Sequence, residues 1–344
     1  MAQLVPFKPG QVFQHHRDRV PSRSTNWNGP TCIRRCALNT AVQILSGLPG
    51  FGAALLHSPL EPGPLTRAVA TAVNASLAAG PGCVGTVDEL VEVLKEHRLV
   101  QEGVSDVMKD VDARELIFEL LSGIQEELVL SAATAQAHLE ADLDVEATYI
   151  PVMTSSYKLL EAPCNICKHR FKGEELLVIP IFTLGVDPEK GCHQSMQSMF
   201  AADLQQHARC PRESCRADII KQARFQQWPL ALMLNFNEQE GLEVSIGLQD
   251  TVQLPMCPHL YRLVRILFQK GSHFTLGARR ADGLWVYLDS ESPVETMPLQ
   301  LLLQQRGHWV VGALLITTQH FEDDGRMLLA DFLRDTQQAS GLAR

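Results

Sequence analysis

Two cysteines, Cys32 and Cys36, stand one helical turn apart at the entrance to a helical pattern, where a nucleophilic thiol is favoured. They follow Asn26-Trp27-Asn28-Gly29-Pro30, a run of turn formers. Leu38, Val42 and Leu45 then recur at helical spacing. Unpaired N–H groups at a helix start favour thiolate over thiol, so either sulfur is suited to attack a carbonyl. The same local sequence also fits two small buried residues, because free cysteine packs well in cores.

A cysteine nucleophile needs a base, and the base needs a group that orients it. In Gly271-Ser272-His273-Phe274-Thr275 the histidine precedes a predicted strand. Asp289 ends the next strand, after Leu284-Trp285-Val286-Tyr287-Leu288. Asp282-Gly283 between them is a hairpin turn signal. A hairpin of this length returns both ends to one place, which lets Asp289 hold the His273 imidazole. Taken alone, such a pair is more often a pair of surface polar residues.

A second chemistry is written in the other cysteines. Cys164-Asn165-Ile166-Cys167 has the two-residue interval of a zinc knuckle. Zinc takes four ligands, and Cys210-Pro211-Arg212-Glu213-Ser214-Cys215 is the best second pair. Cys192, His193, His169 and His207 are reserves. A zinc ion on Cys164, Cys167, Cys210 and Cys215 is structural, because four filled positions leave none for substrate. The competing reading is a set of unrelated free thiols.

The elements that must position these groups fall into two kinds. Residues 1–25 read as irregular, with prolines at 6, 9 and 21. After the Cys36 helix, Gly47 to Pro64 is broken by Gly and Pro and reads as loop. Ala68 to Ala79 reads as a helix, and Thr86 or Asp88 caps another through Leu94. Asp110 to Leu121 has acidic residues at its start and apolar residues at 116, 117, 120 and 121, an amphipathic helix that runs towards His138 with a break near Gly123. From about Tyr149 short strands take over: Glu175 to Leu184, Trp228 to Phe236, Tyr261 to Gln269, Phe274 to Ala278, Leu284 to Leu288 and Val310 to Thr317. Helices are expected at Ser195 to His207 and in a tail over 321–344. The fold class is α+β: a helical half, a cysteine-bearing insert, and a largely antiparallel half.

Composition bounds the function. Hydrophobic residues form 45% of 344 and charged residues 20%, a balance that supports a large core. No apolar run reaches the length of a membrane span. The formal charge of −9 argues against a nucleic-acid partner and leaves room for a basic protein partner. Met1 to Lys8 lacks the basic region and apolar core of a secretion signal, so a cytoplasmic or nuclear location is the expectation. Nine cysteines in a reducing compartment point to metal ligation and nucleophilic chemistry rather than disulfides.

Taken together, residues from about Asn26 to Thr317 resemble the ubiquitin-specific protease family in the family's own order. Cys36-Ala37-Leu38-Asn39-Thr40-Ala41-Val42-Gln43 is similar to its cysteine box, with Asn39 and Gln43 at the family's intervals after the nucleophile. Asp112-Ala113-Arg114-Glu115-Leu116 is similar to its Asp-Ala-His-Glu-Phe helix. Gly271-Ser272-His273-Phe274-Thr275 resembles its histidine box, and Trp285 to Asp289 keeps its Trp-to-Asp interval. The resemblance implies a papain-like cysteine peptidase in one unit over 26–320. A helical thumb would occupy about 26–145, zinc-ribbon-like fingers about 150–225, and an antiparallel β palm about 226–320. It implies Cys36 as nucleophile, His273 as base and Asp289 as orienter, with Cys32 the alternative nucleophile. The four cysteines fall where the family's fingers carry zinc.

Three departures stand out. The family carries Asn-x-Gly-x-Thr before its cysteine, the Asn stabilising the oxyanion. Five residues before Cys36 is Thr31 and five before Cys32 is Trp27, so Asn28 and Asn26 are the nearest candidates. A four-residue insertion, Cys32 to Arg35 or its equivalent, accounts for the shift. The histidine-box Gly is Ser272, and the helix's His and preceding Gln are Arg114 and Val111. The resemblance implies a thiol-dependent deubiquitinase that cleaves after the C-terminal glycine of ubiquitin or a ubiquitin-like modifier. The alternative is a catalytically impaired protein of the same fold that binds ubiquitin or another protein.

Overall fold

The computed structural model of the protein describes residues 12–14, 35–56, 62–77, 83–96, 112–139, 154, 156–177, 181–185, 193–237, 245–289, 292–318 and 326–328. Helix α1, Arg35–Leu45, is the element that Cys36 enters. From Cys36 onward it is buried on every side, and even Asn39, Thr40 and Gln43 are withdrawn from water. A helix buried all round belongs between layers, and α1 packs against two other helices and the main sheet.

The remaining helices of this layer are α2 (Phe51–Leu56), α3 (Pro64–Leu77), α4 (Cys83–Glu96) and α5 (Ala113–Leu139). The stretch 47–64 is therefore not all loop, since α2 buries Phe51, Ala54 and Leu55 within it. Glycine and proline bound this short helix rather than forbid it. Helix α5 passes Gly123 without interruption. A Cβ there would come within 2.5 Å of Leu65 Cδ2, so Gly123 marks the close approach of α3 and not a break. Four residues on, Glu127 accepts the Leu65 and Thr66 N–H groups at 3.0 and 2.8 Å. Those are first-turn donors of α3 that have no intrahelical partner.

The strands begin with β1 (Val12–Gln14), β2 (Ser156–Pro163), β3 (Arg170–Leu177), β4 (Ile181–Gly185) and β5 (His193–Ser195). Helix α6 (Met196–Asp203) separates these from β6 (Gln205–Arg209), β7 (Asp218–Gln227), β8 (Ala231–Asn237), β9 (Ser245–Gly247) and β10 (Thr251–Gln253). Then come β11 (Leu260–Lys270), β12 (His273–Arg279), β13 (Trp285–Leu288) and β14 (Glu295–Met297). Helix α7 (Leu299–Arg306), β15 (Val310–Thr317) and β16 (Arg326–Leu328) complete the order.

The main sheet runs β14-β13-β12-β11-β15-β8-β4, with β10 added to β11. Its pairs are antiparallel except β4 with β8. The cysteine-bearing insert forms a separate antiparallel sheet, β3-β2-β7-β6. The fold is thus α+β with largely antiparallel sheets. Side chains alternate across a strand, and the main sheet uses both faces. Val264, Leu267, Leu276, Leu314 and Ile316 face the helical layer. Leu263, Ile266, Phe268 and Leu315 face the other way, joining the group that holds Phe182, Phe200 and Trp228.

Several expectations are corrected in detail. Glu175 to Leu184 is not one strand, because β3 ends at Leu177 and β4 starts at Ile181 in the other sheet. Of Ser195 to His207 only Met196–Asp203 is helical, since β6 takes the rest to pair with β7. In the tail over 321–344, the described residues form β16, paired antiparallel with β1 of the N-terminal segment. Long-range pairing overrides a weak local pattern. Among the described residues no helix is long and apolar enough to cross a membrane.

Candidate active site

Three elements bring the first group of residues together. Cys36 is the second residue of α1 and is 8% exposed. His273 opens β12, directly opposite Lys270 on β11, so the connection is the two-residue turn Gly271-Ser272. Gly271 has φ +58°, a conformation that suits glycine and the tight hairpin. Asp289 follows the last residue of β13, where the β12–β13 hairpin returns to the His273 end. The opposite, turn-side end of β13 is fixed by Trp285, fully buried, whose Nε1 donates to Asp250 Oδ1 at 3.2 Å. Arg279 Nε donates to the same oxygen at 3.3 Å. Asp250 carries no motif and was not marked as a site residue by its sequence.

The geometry is that of a thiol, a base and a carboxylate in series. His273 Nε2 lies 2.8 Å from Asp289 Oδ1. That leaves Nδ1 for the sulfur, to which His273 is hydrogen-bonded. The Ser272 carbonyl lies 4.0 Å from Cys36 Sγ. Burial pushes the Cys36 thiol up, but hydrogen bonds from His273 and the Phe274 N–H, the His273 charge and the Ala37 N–H together hold it below its ordinary 9.0. The hydrogen bond to Cys36 raises the His273 imidazole, burial opposes it, and the Asp289 hydrogen bond and charge add to the rise. The result moves it from 6.5 to about 9. Both shifts favour a thiolate–imidazolium pair, the reactive form of a cysteine nucleophile. Cys32, Asn26 and Asn28 lie outside the described residues.

The second group is a cluster of four sulfurs. Cys164 and Cys167 occupy the connection between β2 and β3, and Cys210 and Cys215 the connection between β6 and β7. Their Sγ atoms all lie within 4.8 Å of one another. Cys164 and Cys215 are 3.7 Å apart, and Cys167 and Cys210 are 3.6 Å apart. A tetrahedron with zinc–sulfur bonds of about 2.3 Å has edges of about 3.8 Å, so the sulfurs fit such an ion. The two turns are built alike. In each, the residue after the second cysteine, Lys168 or Arg216, has positive φ, 60° and 47°. In each, the first cysteine's N–H donates back across the turn, to His169 O at 2.8 Å and Ala217 O at 2.7 Å. The Cys167 N–H helps draw the Cys164 thiol down to about 6. These four cysteines could hold a metal ion. His169 and His207 are not members of the cluster, and Cys192 lies outside the described residues.

Arg114 stands apart from both groups. Its guanidinium Nε meets both oxygens of Asp112 at 3.0 Å, and its backbone N–H donates to Asp112 Oδ1 at 2.7 Å. Asp112 therefore caps α5 while neutralised by its neighbour. Arg114 Nη1 also reaches Phe236 O on β8 at 3.4 Å, tying the start of α5 to the sheet.

By sequence, the chain matches no protein-family model and no curated protein. By structure, it is similar to the SAGA DUB module Ubp8/Sgf11/Sus1/Sgf73 bound to monoubiquitin. The TM-score is 0.63 at 14% identity, over 87% of this chain and 71% of that one. The same module bound to ubiquitin aldehyde gives 0.64 at 13% identity, over 87% and 72%. A yeast SAGA DUB module carrying a substituted Sgf73 gives 0.60 at 14% identity, over 87% and 71%. Likeness at such identities is a likeness of fold.

Proposed function

We propose that this chain is a thiol-dependent isopeptidase, a deubiquitinase acting after the C-terminal glycine of ubiquitin or a ubiquitin-like modifier. The observation that carries the reading is the series Cys36, His273, Asp289, with the thiol held down and the imidazole raised to about 9. The shared fold with DUB-module structures, two of them bound to ubiquitin or ubiquitin aldehyde, supports the choice of substrate.

In this mechanism the Cys36 thiolate attacks the glycine carbonyl carbon, forming a C–S bond and an oxyanion. The Cys36 N–H, in the first turn of α1, has no intrahelical acceptor and donates to that oxygen. Asn28 or Asn26 is the candidate for a second donor. The His273 imidazolium passes its Nδ1 proton to the departing lysine amine as the C–N bond breaks, leaving a thioester. Water then attacks the thioester while His273 takes its proton, which releases the modifier's carboxylate and restores the thiolate. Asp289 orients the ring and stabilises its cationic form throughout.

Cys164, Cys167, Cys210 and Cys215 would hold a structural zinc ion that fixes the insert between helical and palm portions and takes no part in catalysis. The regions 26–145, 150–225 and 226–320 would act as thumb, fingers and palm around the modifier. The cytoplasm or nucleus, where such conjugates are found, is the proposed location.

The test is hydrolysis of ubiquitin carrying a fluorogenic C-terminal amide. Turnover by the parent chain and Cys32→Ala, with loss in Cys36→Ala and His273→Ala, supports the reading. Binding of ubiquitin without turnover would instead favour an interaction module, as the altered loop before Cys36 suggests.

A further inference from the structure

Arg265 is a buried cation that the mechanism does not use. It is 3% exposed, and among the described residues no carboxylate pairs with it. Its Nε donates to Gln43 O at 3.3 Å, its Nη2 reaches Ser46 Oγ at 3.5 Å, and its Nη1 donates to Val264 O at 2.9 Å. Ser46 Oγ in turn donates to Gln43 O at 2.7 Å. Apart from Val264 O, the acceptors lie at the C-terminal end of α1, where the helix presents partial negative charge. Burial lowers the guanidinium only to about 10, so it stays charged at neutral pH.

The strand is distorted to put Arg265 there. Residues 261, 263 and 265 of a regular strand share one face, and Tyr261 and Leu263 face away from the helical layer. The β11–β15 pairing slips between Leu263 and Arg265. This bulge turns Arg265 towards α1 together with Val264. Gly47 completes the fit, because a Cβ at that position would come within 2.9 Å of Arg265 Cγ.

An unpaired buried cation is unfavourable, and a hydrophobic side chain of similar volume commonly fills such a site with equal or greater stability. The charge must therefore serve something other than packing. Helix α1 carries Cys36 at its other end, and β11 pairs with β12, which His273 opens. We propose that Arg265 is a positioning residue: by gripping the C-terminal end of α1 from β11, it sets the axial placement of Cys36 against His273. This rests on the reading of Cys36 and His273 as nucleophile and base.

Arg265→Met and Arg265→Lys are compared with the parent chain in three measurements. These are the thermal midpoint, the pH midpoint of Cys36 alkylation by iodoacetamide followed on the Cys36 peptide by mass spectrometry, and turnover of the ubiquitin amide. Arg265→Met is expected to keep or raise the thermal midpoint and to move the alkylation midpoint up by about one pH unit. Its kcat is expected to fall about tenfold or more at unchanged KM. Arg265→Lys, which keeps a donor for Gln43 O, restores most of both. An alkylation midpoint and kcat unchanged in Arg265→Met overturn the proposal. A thermal midpoint that falls in step with reactivity overturns it too, because that is a role in folding alone. If the parent chain turns over no ubiquitin amide but the alkylation midpoint still shifts, the substrate reading fails and the role of Arg265 stands.

Discussion

At the scale of the residue, the decisive quantity is the proton shared between Cys36 and His273. The thiol is held below its ordinary 9.0 and the imidazole is raised to about 9, and both shifts favour thiolate beside imidazolium. Activity should rise as the thiol ionises on the low side and fall as His273 loses its proton near pH 9, giving a bell in kcat/KM. Stability carries a matching sign. A histidine whose pKa rises from 6.5 to about 9 on folding contributes stability that is complete below 6.5 and lost as pH rises through about 9. Asp289→Asn removes the negative charge that helps hold the imidazole up and weakens the hydrogen bond to it. It should move the descending limb below pH 9 and lower kcat by about a hundredfold or more, measured as a pH–rate profile. Cys36, His273 and Asp289 were legible in the sequence because each sits at the end of a patterned element. Arg265 and Asp250 were not, since the first needs a bulge and the second a contact with Trp285, neither of which leaves a periodic signal.

At the scale of the element, two structures set the geometry around the site. The paired knuckles bring four thiols to separations that suit one dication. Purified protein should contain one zinc ion per chain by metal analysis. Cys167→Ser should lower zinc content and the thermal midpoint while leaving the alkylation midpoint of Cys36 in place, because the knuckles belong to a different sheet from His273. The start of α5 is the other. Asp112→Ala removes the cap and the carboxylate paired with Arg114, which should cost about 1 kcal/mol or more in urea unfolding. The strands β11, β12, β13 and β15 were readable because alternation and turn signals coincide along them. Helix α2, the β3–β4 division and β6 were not, because each depends on a distant partner: a helical core for α2, and separate sheets for the strands.

At the scale of the whole molecule, the main sheet is the frame that holds Cys36 and His273 in one register. Its helical face supports α1, its hairpin edge presents His273 and Asp289, and its far face is filled by a second apolar group. Leu314 is fully buried where β15 meets the end of α1, in reach of Gly47. Leu314→Ala should cost about 2–5 kcal/mol in urea unfolding, as cavity formation does at such sites. The α+β class and the order of helical layer, cysteine insert and sheet were readable from the change of periodicity and turn signals along the chain. The crossing of α1 over β11 was not, because it is a property of packing and no local pattern encodes it. The proposed role of Cys36 is that of a nucleophile placed to receive a modifier's C-terminus. The most direct test is reaction of the intact chain with ubiquitin bearing a C-terminal electrophile, followed by mass spectrometry of the adduct. One ubiquitin per chain attached at Cys36 is expected, present in Cys32→Ala and absent in Cys36→Ala. An adduct on Cys32, or labelling that survives Cys36→Ala, would contradict it.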